Sequence, residues 1–347
     1  MRRIVVVSVI VVLAGLIGYA TGQSRAAVDV GPSGPFAVGV GMHDWTDRSR
    51  YDQFSPNGGE PRTLSAWVWY PAVPGKGAPS RYAPGAWRGL HRYGIAETGF
   101  DHIRTGTRVD PPQSPGRFPV VVLLPGLGLS APQYQAIAAG MAARGYFVAG
   151  VTPTYSAKLT VLNGHPVPAS RAGDPTDQNG TVLASIVSVW AADARFAAAR
   201  TAVQYNGHVD PSRVVYVGHE LGAAAAVSAC HSDEHCAGAV SLAGTMLAGS
   251  PALSRPRLLL NSGSSAGRGP VMAYTIGGAG KLAFTDYAVY RLAWPVRRLL
   301  PLGSRDGRQT LDITGGYLDA FLATSFRGTP WHAPASPFVR ADDVTSG

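Results

Sequence analysis

The residues best placed to do chemistry are Gly218-His219-Glu220-Leu221-Gly222, which follow the apolar run Val214 to Val217 and precede Ala223 to Ala226. A β-branched strand that enters Gly-x-x-x-Gly and leaves as a small-residue helix makes a sharp turn. The side chain at its apex is pushed out above a parallel sheet. Glycine is needed on both sides because the strand and helix backbones pass too closely to leave room for Cβ atoms. An apex of this kind positions a group to attack a carbonyl, which is work for Ser, sometimes Cys or Asp. Here the apex residue is Glu220.

Such a turn needs a sheet to stand on. Ala66 to Tyr70 reads as an aromatic strand closed by Pro71, and Pro119 to Leu124 as a strand buried on both faces. The second ends in Pro125-Gly126-Leu127-Gly128, followed by a helix from about Ala131 to Ala143 that Gly145 stops. Tyr146 to Val151 is the next strand. Val182 to Tyr205 is helical, with Val182, Ile186, Val189, Phe196 and Val203 on one stripe. Beyond the turn come strands at 239–243, 258–261 and 271–276, then a helix from Thr310 to Phe326. Alternating strands and helices predict an α/β fold, a mostly parallel central sheet with helices on both faces.

In order and spacing, residues 38 to 330 resemble the platelet-activating factor acetylhydrolase-like branch of the α/β-hydrolase superfamily. The match rests on Asp47-Arg48-Ser49-Arg50-Tyr51-Asp52 with Trp67-Val68-Trp69-Tyr70-Pro71-Ala72, and on Phe118-Pro119 through Gly128. Asp210-Pro211-Ser212-Arg213 before the apex and Asp306-Gly307-Arg308 before the last helix complete it. The resemblance implies lipase- or esterase-type hydrolysis of short acyl esters without a cofactor.

That chemistry requires a serine, a histidine base, an orienting carboxylate and two backbone N–H donors for the oxyanion. Carried over residue by residue, the serine position is Glu220, the acid position Ala243 and the histidine position Lys281, all three substituted. The oxyanion donors fall on the N–H groups of Leu127 and Leu221. Two readings follow: a catalytically degenerate binding protein, or an active carboxylic-ester hydrolase with a non-standard site. Glu220 as a carboxylate nucleophile still lacks a base to activate water. His219 should point away from the apex and be packed or hydrogen-bonded. Asp286 is most simply a turn or helix-cap carboxylate. Opposite charges at two positions that face each other in the family predict a Glu220–Lys281 salt bridge plugging the former centre.

The whole-chain numbers fit a well-cored globular protein: 347 residues, 46% hydrophobic and 15% charged. The net charge of +9 comes almost wholly from arginine, since only Lys76, Lys158 and Lys281 are lysines, and no run of basic residues forms a nucleic-acid footprint. Arg2-Arg3, the apolar run Ile4 to Ala20 and the small-x-small Ser24-Arg25-Ala26 read as a secretory signal, with an uncleaved anchor as the alternative. Membrane association would then run through residues 4–20. Residues 1–26 form this segment, 27–60 an extended lead-in, 61–330 the hydrolase domain and 331–347 a surface tail. In an exported chain Cys230 and Cys236 suggest one local disulfide, against the alternative of two buried thiols. His231 and His235 between them lack the partners a metal site needs. A small acyl ester or a lipid is the expected ligand.

Overall fold

The computed structural model describes residues 2–244, 246–261 and 270–342. Its core is an 11-stranded sheet. In chain order the principal strands are β1 (Ala37–Tyr51), β2 (Pro61–Ala72), β3 (Phe118–Leu124), β4 (Phe147–Thr152), β5 (Val209–His219), β6 (Cys236–Leu242), β7 (Arg257–Leu260), β8 (Val271–Ile276) and β9 (Val339–Ala341). Their spatial order is β9-β8-β7-β6-β5-β3-β4-β2-β1, and two short strands, Arg108–Val109 and Ala78–Pro79, extend the β1 edge. In the spatial run from β4 to β8 all neighbours are parallel, while β2 pairs antiparallel with both β4 and β1, and β9 pairs antiparallel with β8.

Helices α1 (Arg2–Arg25), α2 (Gln135–Ala142), α3 (Gly180–Gln204), α4 (Leu221–His231), α5 (Trp294–Leu299) and α6 (Gly307–Arg327) complete the frame. The sheet separates two apolar layers. One joins Val121, Leu123, Val215 and Val217 to α2 and α6; the other joins Val120, Val122 and Tyr216 to α3 and α4. Alternate residues of the same strands feed opposite layers, as the period-two pleat requires.

Three expectations are corrected. Residues 27–60 are extended, but β1 within them pairs with β2 from Ala37 to Asp47 and again at Tyr51, so this stretch is woven into the sheet and not a separate lead-in. The tail contributes β9, an edge strand on β8. On α3 the stripe is displaced: Ile186 and Val189 are buried, but Val203 is 65% exposed. The buried face instead follows Ile186, Trp190, Ala194, Ala197 and Thr201, because a helix lying on a flat sheet can approach closely over alanines.

The Asp47 to Asp52 signature has a structural role. Arg62, 1% exposed, bridges Asp193 of α3 (2.7 Å) and Asp52 (2.9 Å) and donates to the Thr154 carbonyl (3.0 Å). Arg50 joins Asp47 to the same Asp193. Burial opposes the Arg62 charge, but the two aspartates more than restore it and hold its pKa above the usual value.

Candidate active site

The parallel strands end in a row of residues with left-handed backbone. Glu220 follows β5 with φ 48° and ψ −116°, Ala243 follows β6 with φ 45°, and Asn261 follows β7 with φ 50°. Adjacent ends are laced together: Glu220 N–H donates to the Leu242 carbonyl (3.1 Å), Ala243 N–H to Leu260 (2.8 Å) and Asn261 N–H to Tyr274 (2.9 Å). The expected strand-to-helix turn is therefore present, with Glu220 at the apex. A Cβ on Gly218 would lie 2.0 Å from the Gly222 carbonyl oxygen, and one on Gly222 would lie 2.4 Å from that of Pro125. Both glycines are needed for close approach, as their spacing suggested.

Glu220 is half-buried, and its carboxylate leans over the Gly126-Leu127 loop. Its Oε2 lies 2.8 Å from where a Gly126 Cβ would stand. Burial raises the Glu220 pKa, and the positive charge of Lys281 pulls it part of the way back. The expected salt bridge is not formed as a contact: among the described residues no ion pair joins the two side chains. Lys281 opens a single turn of tight helix, Lys281–Phe284, and its side chain is exposed. Solvation of the ammonium competes with a half-buried partner, so the charges interact at a distance.

What reaches Lys281 is the ring of the residue before the apex. His219 is fully buried, and its Nε2–H donates to the Lys281 carbonyl (2.9 Å). The Tyr134 hydroxyl accepts from Gly126 N–H (3.0 Å) and donates to His219 Nδ1 (2.8 Å), which fixes the neutral tautomer. Burial depresses the His219 pKa to about 4. Both ring nitrogens are engaged away from the apex, as expected, and the ring ties the Gly126-Leu127 loop to the Lys281 segment.

Asp286 is a cap, though for a distant helix. It accepts from Gln135 N–H (2.9 Å) and Ala136 N–H (3.0 Å) at the start of α2, and from the Tyr82 hydroxyl (2.8 Å). Burial outweighs these bonds and lifts its pKa to about 6. Sequence reasoning missed Tyr134 and Tyr82. No local pattern marked them, since Tyr134 stands between Gln133 and Gln135 and Tyr82 follows Ser80-Arg81; a tyrosine that becomes buried needs a partner for its hydroxyl, and the fold alone decides which do.

Leu127 lies in the loop after β3, and Leu221 is the first residue of α4, where an N–H has no partner one turn earlier. Ala243 is buried in the α6-side layer. Cys230, in the last turn of α4, is bonded to Cys236, the first residue of β6. Among the described residues no group of three or more His, Cys, Asp or Glu side chains could hold a metal.

The chain is similar to a solved ferulic acid esterase from Streptomyces cinnamoneus, with 26% identity and a TM-score of 0.78. The likeness covers 92% of this chain and all of that one. The fold is the α/β-hydrolase fold. No family model and no curated protein matches the chain. In esterases of this fold a sharp strand-to-helix turn presents the nucleophile above the sheet, and the corresponding turn here carries Glu220.

Proposed function

We propose that this chain is an exported hydrolase-fold protein, akin to the platelet-activating factor acetylhydrolase-like esterases, that binds its ligand without ordinary serine-esterase turnover. The ligand class is a small acyl ester or lipid held in the former active-site pocket. The observation that carries the reading is the Glu220 carboxylate at the apex, leaning over the Gly126-Leu127 loop. A tetrahedral acyl intermediate places negative charge against that loop, and a resident carboxylate opposes it. Supporting it, His219 has no free ring nitrogen, Lys281 supplies a cation where a neutral base is needed, and Ala243 has no group to orient one. Nothing in this reading calls for a cofactor.

The likeness to an esterase favours a second reading, an active carboxylic-ester hydrolase with a non-standard site. Turnover of a short-chain nitrophenyl ester separates the two. On the first reading the wild-type chain and Glu220→Ala are both indistinguishable from the uncatalysed rate. Wild-type turnover that Glu220→Ala abolishes would establish the second.

A further inference from the structure

Helix α1 is 24 residues long and spans about 36 Å at 1.5 Å per residue, enough for a bilayer core of about 30 Å. Its segment Val6–Arg25 is 0% buried against the rest of the chain. Its end, by contrast, is tied down at once. The Ser24 carbonyl accepts from Gly99 N–H (2.8 Å), and the last turn packs on the short helix Gly94–Ala96. Val28, 6% exposed, is already paired with Ile103, so only Ala26 and Ala27 separate α1 from the folded domain. Three residue steps reach at most about 10 Å. A bilayer crossed by α1 must therefore lie within that distance of the domain surface around residues 94–99.

That surface is built unlike the rest of the molecule. The Ala96 carbonyl accepts from Ala293 N–H (2.7 Å), which sets α5 directly beside the end of α1. Ile95, Trp294 and Leu299 are 53%, 60% and 83% exposed, and they make up three of the seven large hydrophobics exposed outside α1 among the described residues. Arg298 stacks on the Trp294 ring at 4.6 Å. Residues 287–305 contain four arginines and no Asp or Glu. Gln23 of α1 shares a cavity of about 410 Å³ with Arg291, Arg297 and Arg308. The two carboxylates in that cavity are engaged locally, Asp29 by Gly31 N–H and Asp306 by Gln309 N–H. Arg25, Arg291, Arg297, Arg298 and Arg308 form no ion pair among the described residues.

We propose that α1 is retained as an anchor and that the α5 face lies on the bilayer, with Trp294 and Leu299 in the interface and the arginines against anionic headgroups. Amphipathic aromatic rings settle at headgroup level, and basic side chains are drawn to an anionic leaflet within a Debye length. Arg2-Arg3 ahead of the span and a folded domain behind it orient that contact toward the outer leaflet.

The test uses the full chain in nanodiscs with and without phosphatidylglycerol. Among the described residues both cysteines are bonded, so a nitroxide can be attached selectively at Leu299→Cys, with Val203→Cys on α3 as a control. In anionic discs the label at 299 should lose accessibility to a water-soluble nickel chelate and gain accessibility to oxygen, while the label at 203 stays aqueous. Adding Arg297→Glu and Arg298→Glu should return the 299 label to water. Labels at 299 and 203 equally exposed to water would overturn the proposal. So would spin–spin broadening at 299, which means a second copy covers the face. Intact mass of membrane-recovered protein supplies an independent arm: residues 1–25 present supports the anchor, and their removal refutes it.

Discussion

At the residue scale the apex is under strain. A non-glycine residue at φ 48° and ψ −116° stores on the order of 1–3 kcal/mol, because Cβ crowds the backbone there. Glu220→Gly removes both the strain and a half-buried carboxylate, so it should stabilise the protein by about 1–2 kcal/mol in urea denaturation. A loss of stability would mean that the carboxylate makes a compensating contact. Glu220 and Lys281 interact only through space, so a double-mutant cycle of Glu220→Gln and Lys281→Met should return a coupling under about 1 kcal/mol. His219 titrates differently. Its folded pKa of about 4 lies below the ordinary 6.5, so the folded state binds fewer protons than the unfolded chain between those values. Its contribution is fully present above pH 6.5 and is lost as pH falls to 4, by roughly 3 kcal/mol. Asp286, raised from 3.8 to about 6, acts with the opposite sign, and stability falls as pH rises through that window. His219→Gln should thus remove the loss on acidification from pH 6.5 and leave a chain relatively more stable near pH 4.5 than near pH 7. An unchanged pH–stability profile would show that His219 is not buried neutral.

At the element scale the Arg62 network fixes the β1–β2 hairpin to α3. Arg62→Met leaves Asp52 and Asp193 buried and facing each other, so a loss of about 3–5 kcal/mol is expected by urea denaturation. A loss below about 1 kcal/mol would mean that water reaches the pair. This network also shows where sequence reading stopped. Continuous apolar runs announced β3, β5 and β7, and Gly-x-x-x-Gly announced the turn, because each is dictated by local chemistry. The strand β1, with Asp44, Asp47, Arg48 and Arg50, reads as an extended lead-in outside the domain because its partners are a neighbouring strand and a helix far along the chain. Asp193 in the middle of an Ala-rich helix was the local sign that something charged lay beneath it. The Val203 error has the same origin: periodicity finds a face, and only the sheet decides which face is covered.

At the scale of the whole molecule the site is a property of the sheet. Glu220 and Ala243 sit at the ends of neighbouring strands β5 and β6, and Lys281 follows β8, so three distant segments meet only because the parallel order brings their ends to one edge. The turn at Glu220 was legible from Gly-x-x-x-Gly, and Ala243 and Lys281 were carried over from the family resemblance, but the side-chain arrangement was not legible, since neither the lean of Glu220 toward Gly126 nor the bond from His219 to the Lys281 carbonyl is local. If the scaffold still holds esterase geometry, restoring Glu220→Ser, Ala243→Asp and Lys281→His together should create hydrolysis of a short-chain nitrophenyl ester. Each single restoration should do little, because nucleophile, base and orienting acid act as a unit. The restored histidine must fit on the Lys281 backbone, whose carbonyl His219 already holds. Adding His219→Ala to the triple variant should therefore reduce the gained activity by loosening that segment. Turnover unaffected by His219→Ala would show that the segment is placed by its own bond to Pro301 and its helical turn alone.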